Sequence, residues 1–147
     1  MKICLIAANF YKKKTDNLIK GATLELEKYN KNNKIRKNKF KYFRIIVPGV
    51  FEIPFTIASN IKKYDAFIAL GCVIKGETPH FDFISRAAIN GIMQLSINFK
   101  KPITNGIITS NNKKQALVRS NPGKKNKGGE AAKALIKLFE NKHHNEW

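Results

Sequence analysis

Between Gly71 and Ser85 the chain carries the residue types that anion binding and proton transfer require: Gly-Cys-Val-Ile-Lys-Gly-Glu-Thr-Pro-His-Phe-Asp-Phe-Ile-Ser. An apolar run, Ala66 to Gly71, enters a polar loop hinged at Gly76. The loop closes on Thr78-Pro79-His80, the pattern of a helix start. Thr78 is a capping residue type, and Pro79 suits the first helical position, where its missing N–H would have had no partner. A loop that ends on a helix N-terminus offers free backbone N–H groups and the positive end of the helix to an anion. His80 then stands within reach of that anion, and histidine is the side chain suited to moving protons near neutral pH. A lone Thr-Pro-His is more often a solvated surface turn. The chemistry depends on what else the fold brings to this loop.

Four apolar strand-like runs alternate with helical patterns. Lys2 to Ala8, Tyr42 to Val47, Ala66 to Val73 and Pro102 to Thr109 have the near-continuous apolar character of strands buried on both faces. Leu18, Ile19, Ala22 and Leu26 recur at helix spacing, and a polar connector follows from Asn30 to Asn38. Phe51 to Ile61 is a short helix and His80 to Phe99 the longest one. Helical segments near Asn112 to Ser120 and Lys127 to Asn141 are split by Asn121-Pro122-Gly123. The expected fold is α/β: one domain spanning residues 1–147, a three-layer α/β/α sandwich around a four-stranded, parallel, doubly wound sheet of flavodoxin-like kind. Residues 136–147 hold the end of the last helix and a polar tail. Ligands of such sheets sit at the carboxyl ends of the strands. That rule places Asn9-Phe10, Pro48 to Glu52, Gly71 to His80 and Thr109-Ser110 on one rim.

In the long helix, Phe81, Ile84, Ala88, Ile92, Leu95 and Phe99 form the stripe expected to face the sheet. Phe83, Ile89, Met93 and Ile97 lie off it and are apolar too. A helix apolar on more than one side is covered on more than one side, and a second subunit is the expected cover.

The chain has 147 residues and a net charge of +18, which invites a nucleic-acid reading. The lysines, however, are spread over most connectors, with no basic-aromatic interleaving to stack bases. Lysine, asparagine and isoleucine are all abundant, which AT-rich coding is sufficient to produce. No dedicated nucleic-acid partner is expected. No apolar run reaches membrane-spanning length, and Met1 leads straight into a strand rather than a signal core, so no membrane association and a cytoplasmic location are expected. Cys4 and Cys72 lie in strand contexts without metal-ligand spacing and read as reduced core residues. No metal site is indicated, and His143 and His144 fall in the polar tail as bystanders.

Several separated motifs, in order, resemble the lumazine synthase family: Val47 to Pro54; Leu70 to Asp82; Asn105 to Thr109 with Gln115, Ala116 and Arg119; and Asn126 to Ala132. The similarity runs from about Ile3 to Leu138. It implies an enzyme that condenses 5-amino-6-(D-ribitylamino)uracil with 3,4-dihydroxy-2-butanone 4-phosphate, without metal or redox cofactor, at sites between neighbouring subunits of a pentamer. The resemblance implies that Phe10 stacks on the pyrimidine ring. Ribityl and pyrimidine contacts fall on Val50, Phe51, Glu52, Cys72, Val73 and Ile74. Phosphate contacts fall on Glu77 and Thr78, with Arg119 reaching in from the adjoining subunit. His80 matches the proton-transfer histidine, and Lys127 a lysine near the same pocket.

The residue types suit these roles. An aromatic face stacks on a flat heterocycle with little rotamer entropy to lose. Arg119, one of four arginines in a lysine-rich chain, offers the planar fork that phosphate favours, although a surface ion pair is the commoner fate of a lone arginine. Glu77 is the wrong charge beside a phosphate, so its backbone N–H is the expected contact. Asn105 stands where many members place an aromatic residue across the interface, and a hydrogen bond is expected in its place. Asn9 occupies a position where a basic residue is common. The chain starts at its first sheet strand, without the N-terminal segment that links subunits in many members, and the turn from Asn121 to Lys125 has no insertion. Pentamer, decamer and sixty-subunit shell all stay open. So do two other readings, a polyanion-binding protein and a shell subunit with little catalysis.

Overall fold

The computed structural model describes residues 1–35 and 38–145, with side chains described as far as Lys142. Four strands, β1 (Lys2–Ala8), β2 (Lys41–Val47), β3 (Ala66–Ile74) and β4 (Ile103–Ser110), alternate with five helices. The helices are α1 (Lys12–Asn32), α2 (Ile53–Asn60), α3 (His80–Phe99), α4 (Lys113–Ser120) and α5 (Lys127–Asn145), and a 3₁₀ turn over Val50–Glu52 leads into α2. All pairings are parallel and the strand order is β2-β1-β3-β4. This is the expected flavodoxin-like α/β sandwich.

Strand alternation sorts the apolar side chains onto two faces. Ile3, Leu5 and Ala7 of β1, with Ile68 and Leu70 of β3, pack under α1 and α5. Cys4, Ile6 and Ala8, with Phe67 and Ala69, pack under α2 and α3. β1 and β3 are the central strands, so both of their faces are covered, which is why they read as continuous apolar runs. The order places the topological switch between β1 and β3, where the chain leaves toward opposite faces of the sheet.

Close backbone approaches position the rim. A Cβ at Gly71 would lie 2.7 Å from Val50 Cγ2 and 3.1 Å from Ala8 Cβ, so only glycine lets the turn after β2 settle against the ends of β1 and β3. Thr15 Oγ1 donates to Ala8 O at 2.5 Å and ties the start of α1 to the end of β1. Lys75 N donates to Ser110 O at 2.8 Å and holds the ends of β3 and β4 together.

Some expectations change in detail. α5 continues to Asn145, four residues beyond the expected Asn141, and takes in part of what reads as a tail. The side chains of His143 and His144, and residues 146–147, lie outside the described residues. Of the α3 stripe, Ala88 and Ile92 are buried, while Phe99 is 49% exposed. Phe99 is the last residue of the helix. Off the stripe, Phe83, Met93 and Ile97 are each more than half exposed, as is Phe55 on α2. Lys28, Lys34, Lys133 and Lys137 line one groove of about 690 Å³ between α1 and α5, beside Glu25 and Glu140. No helix among the described residues is long and apolar enough to cross a membrane.

Candidate active site

A cavity of about 490 Å³ opens at the carboxyl ends of β1, β2 and β3, where the switch-point rule places a ligand. Phe10, Val50, Phe51, Glu52, Cys72, Val73, Ile74, Thr78 and His80 all line it. These are nine of the residues expected from sequence, brought together from three strand ends and the start of α3.

Each is placed by a local device. Phe10 follows Asn9 just past the end of β1 and stays 75% exposed. Its ring and that of Tyr11 meet edge to face, with centroids 5.0 Å apart and planes at 81°. Val50, Phe51 and Glu52 are presented by the 3₁₀ turn, and Val50 is anchored in the core. Cys72 is 5% exposed, and burial pushes its thiol up to about 11, with Lys14 opposing the shift. The thiol therefore enters the cavity wall as a neutral group. A Cβ at Gly76 would meet nothing within 4 Å, so the space beside this loop is open to a ligand.

The expected cap of α3 is corrected. Pro79 occupies the cap position without a side-chain cap bond, and Thr78 is exposed rather than capping. The carbonyl of Pro79 accepts from Asp82 N at 3.0 Å and Phe83 N at 3.4 Å, so the helix opens on a backbone turn at Pro79. His80 is its first residue, with an exposed ring that has no hydrogen-bond partner among the described residues. Glu77 is exposed and does not line the cavity wall.

Asn105, Arg119 and Lys127 are elsewhere. They line a second cleft of about 340 Å³ formed by β4, α3, the end of α4, the turn after it and the start of α5. Arg119 Nη1 donates to Thr109 O at 2.6 Å, which fixes the guanidinium over the end of β4. Short α4 is itself held by a reciprocal cap, with Gln115 N donating to Asn112 Oδ1 at 2.8 Å and Asn111 N to Gln115 Oε1 at 2.9 Å. Lys127 Nζ lies 3.5 Å from Glu130 Oε2. Asn105 Oδ1 accepts from Ile107 N at 2.9 Å, so its carbonyl end serves β4 itself. The Asn126-Lys127-Gly128-Gly129 motif is a helix start: Asn126, at φ 48°, accepts from Gly129 N at 3.1 Å through its side chain.

Sequence reasoning did not name Tyr11, Phe81 and Ile84 in the cavity, nor Ile89, Lys125 and Glu130 in the cleft. The aromatic and aliphatic ones are indistinguishable from core residues by periodicity. Glu130 falls within a matched motif, and its spacing from Lys127 was the available signal.

An open cavity at the switch point of a doubly wound sheet, with an exposed aromatic on one wall and a histidine at a helix start, is the setting of a small-molecule site of the open α/β class. The sequence matches the family profile described as 6,7-dimethyl-8-ribityllumazine synthase over residues 1–143. It is 43% identical over 140 residues to the 6,7-dimethyl-8-ribityllumazine synthase of Zymomonas mobilis subsp. mobilis, covering 94% of each chain. It is 39% identical to 6,7-dimethyl-8-ribityllumazine synthase 1 of Rhodopseudomonas palustris, covering 94% of this chain and 83% of that protein. With the corresponding protein of Aliarcobacter butzleri it shares 36% identity, over 95% of this chain and 86% of the other. The chain belongs to the 6,7-dimethyl-8-ribityllumazine synthase family.

Proposed function

We propose that this protein catalyses the lumazine-forming step of riboflavin biosynthesis in the cytoplasm, at sites shared by neighbouring subunits of a homopentamer or its multiples, up to a sixty-subunit shell. It joins 5-amino-6-(D-ribitylamino)uracil to 3,4-dihydroxy-2-butanone 4-phosphate and releases phosphate and water. Two buried, unpaired cysteines suit a reducing compartment.

The observation that carries the reading is the division of the matched residues between two concave surfaces. The cavity holds the aromatic wall, Glu52 and His80, and its lining contains no lysine or arginine. The cleft holds Arg119, Lys125 and Lys127. A phosphate-bearing substrate needs both, so one subunit's cavity is completed by its neighbour's cleft. The exposed apolar residues of α2 and α3, Phe55, Phe83, Met93 and Ile97, supply a face for that association.

In the assembled site the pyrimidine stacks on Phe10, and Glu52 accepts from ribityl hydroxyls or ring N–H groups. Val50, Phe51, Cys72, Val73 and Ile74 form the dry wall. The phosphate rests on the backbone N–H groups between Gly76 and Thr78, at the start of α3. Arg119 of the neighbouring subunit closes on it as a bidentate fork. Lys127 and Asn105 complete the far wall. His80 shuttles protons as the amine adds to the carbonyl, phosphate departs and the second ring closes. Holding two substrates together supplies much of the remaining rate.

Incubating the assembled protein with both substrates should generate the fluorescent lumazine. Absence of product with either order of substrate addition would overturn the proposal.

A further inference from the structure

Glu77 is an anomaly within this site. It lies in the phosphate loop between Gly76 and Thr78, is exposed, and takes part in none of the ion pairs among the described residues. A bare carboxylate there opposes the binding of a phosphate by like charge.

The second cleft holds a matching surplus. Arg119 is fixed on Thr109 O at 2.6 Å through Nη1, and Lys127 is offset by Glu130 at 3.5 Å. Lys125 lines the same cleft, is exposed, and has no side-chain partner among the described residues. Its backbone is nevertheless held. Lys125 N donates to Val118 O at 3.2 Å, on the residue before Arg119, and Asn126 N to Asn121 O at 3.0 Å. Lys125 and Arg119 are therefore carried by one turn of chain and line one cleft, so a surface that meets Arg119 lies beside Lys125 as well.

We propose that Lys125 of one subunit pairs with Glu77 of its neighbour, an ion pair that offsets the carboxylate beside the phosphate and aligns the two halves of the site. This rests on the shared-site reading above. Lys125 is a positioning and charge-balancing residue here, since the pair removes an opposing charge while Arg119 holds the phosphate.

The test is a double-mutant cycle read on the KM of the phosphate-bearing substrate. Lys125→Ala strands Glu77 and should raise that KM about three- to tenfold, with kcat nearly constant. In a Glu77→Ala background the same Lys125→Ala change should shift it by less than about twofold. Equal factors in both backgrounds, or no effect in either, would overturn the pairing. Equal factors would assign Lys125 to the phosphate itself. A second measurement does not depend on turnover: Glu77→Cys/Lys125→Cys protein treated with a short bismaleimide should give linked chains that neither single variant gives. Mixed rings of His80→Ala and Arg119→Ala chains probe the shared site alone. If those rings recover activity while the cross-link is absent and the two alanine effects simply multiply, the pairing is wrong and the shared site stands. If they recover none, both fail.

Discussion

His80 opens α3 with its ring exposed to the cavity and no competing partner among the described residues, so its removal should cost chemistry rather than folding. His80→Ala should lower kcat by about 10²–10⁴-fold, the usual worth of general acid–base help, while assembly and pyrimidine binding persist. Wild-type turnover in that variant would take His80 out of the mechanism. In the proposed site Arg119 works by shape as well as charge. Arg119→Lys keeps the cation and loses the fork, so KM for the phosphate-bearing substrate should rise while pyrimidine binding holds. An equal loss for both substrates would point to a damaged interface. The two thiols make a statement about stability. Burial raises Cys72 and Cys4 alike from 9.0 to about 11. As pH climbs past 9 the unfolded chain releases these protons first, so the thiols' contribution to stability is fully present below pH 9 and is lost by about pH 11. The loss is at most about 3 kcal/mol per thiol. Urea midpoints of wild type should therefore fall more steeply over that window than those of Cys4→Ala/Cys72→Ala, and parallel slopes would mean that the thiols titrate as if exposed.

At the scale of elements, the cleft depends on how closely α5 approaches α1. A Cβ at Gly128 would lie 2.1 Å from Leu18 O and 2.9 Å from Leu18 Cα, so Gly128→Ala must push one helix backbone off the other. It should destabilise the fold by about 1–3 kcal/mol, seen as a lower thermal midpoint. Gly76→Ala meets nothing within 4 Å and should leave the midpoint in place. A silent Gly128→Ala would mean that the helices are more loosely packed than this geometry. Strand and helix order were legible because β1 and β3 are buried on both faces and α1 and α5 carry helical periodicity. The α3 cap was not legible. Thr78 has the right type, but the helix opens on the Pro79 carbonyl, which accepts from Asp82 N and Phe83 N, the third and fourth residues of α3. The cavity was legible because its residues follow strand ends, and strand ends are visible in sequence. The cleft's Ile89, Lys125 and Glu130 were not, since they meet only when α3, β4 and the α4–α5 turn have packed.

At the scale of the molecule, the proposed function makes the two concave surfaces complementary halves of one site, and that has a consequence in mixed assemblies. If a site takes His80 from one subunit and Arg119 from the next, His80→Ala and Arg119→Ala chains should rescue each other. In a ring of heterologous interfaces assembled at random from equal amounts, each site has about a one-half chance of an intact His80 and the same for Arg119. About a quarter of sites should then be whole. Activity should rise from the parents' level toward roughly a quarter of wild type after co-refolding. Parent assemblies mixed without subunit exchange should show no gain. Mixed rings verified by mass that stay as inactive as the parents would place both residues in one subunit's site, or Arg119 outside it.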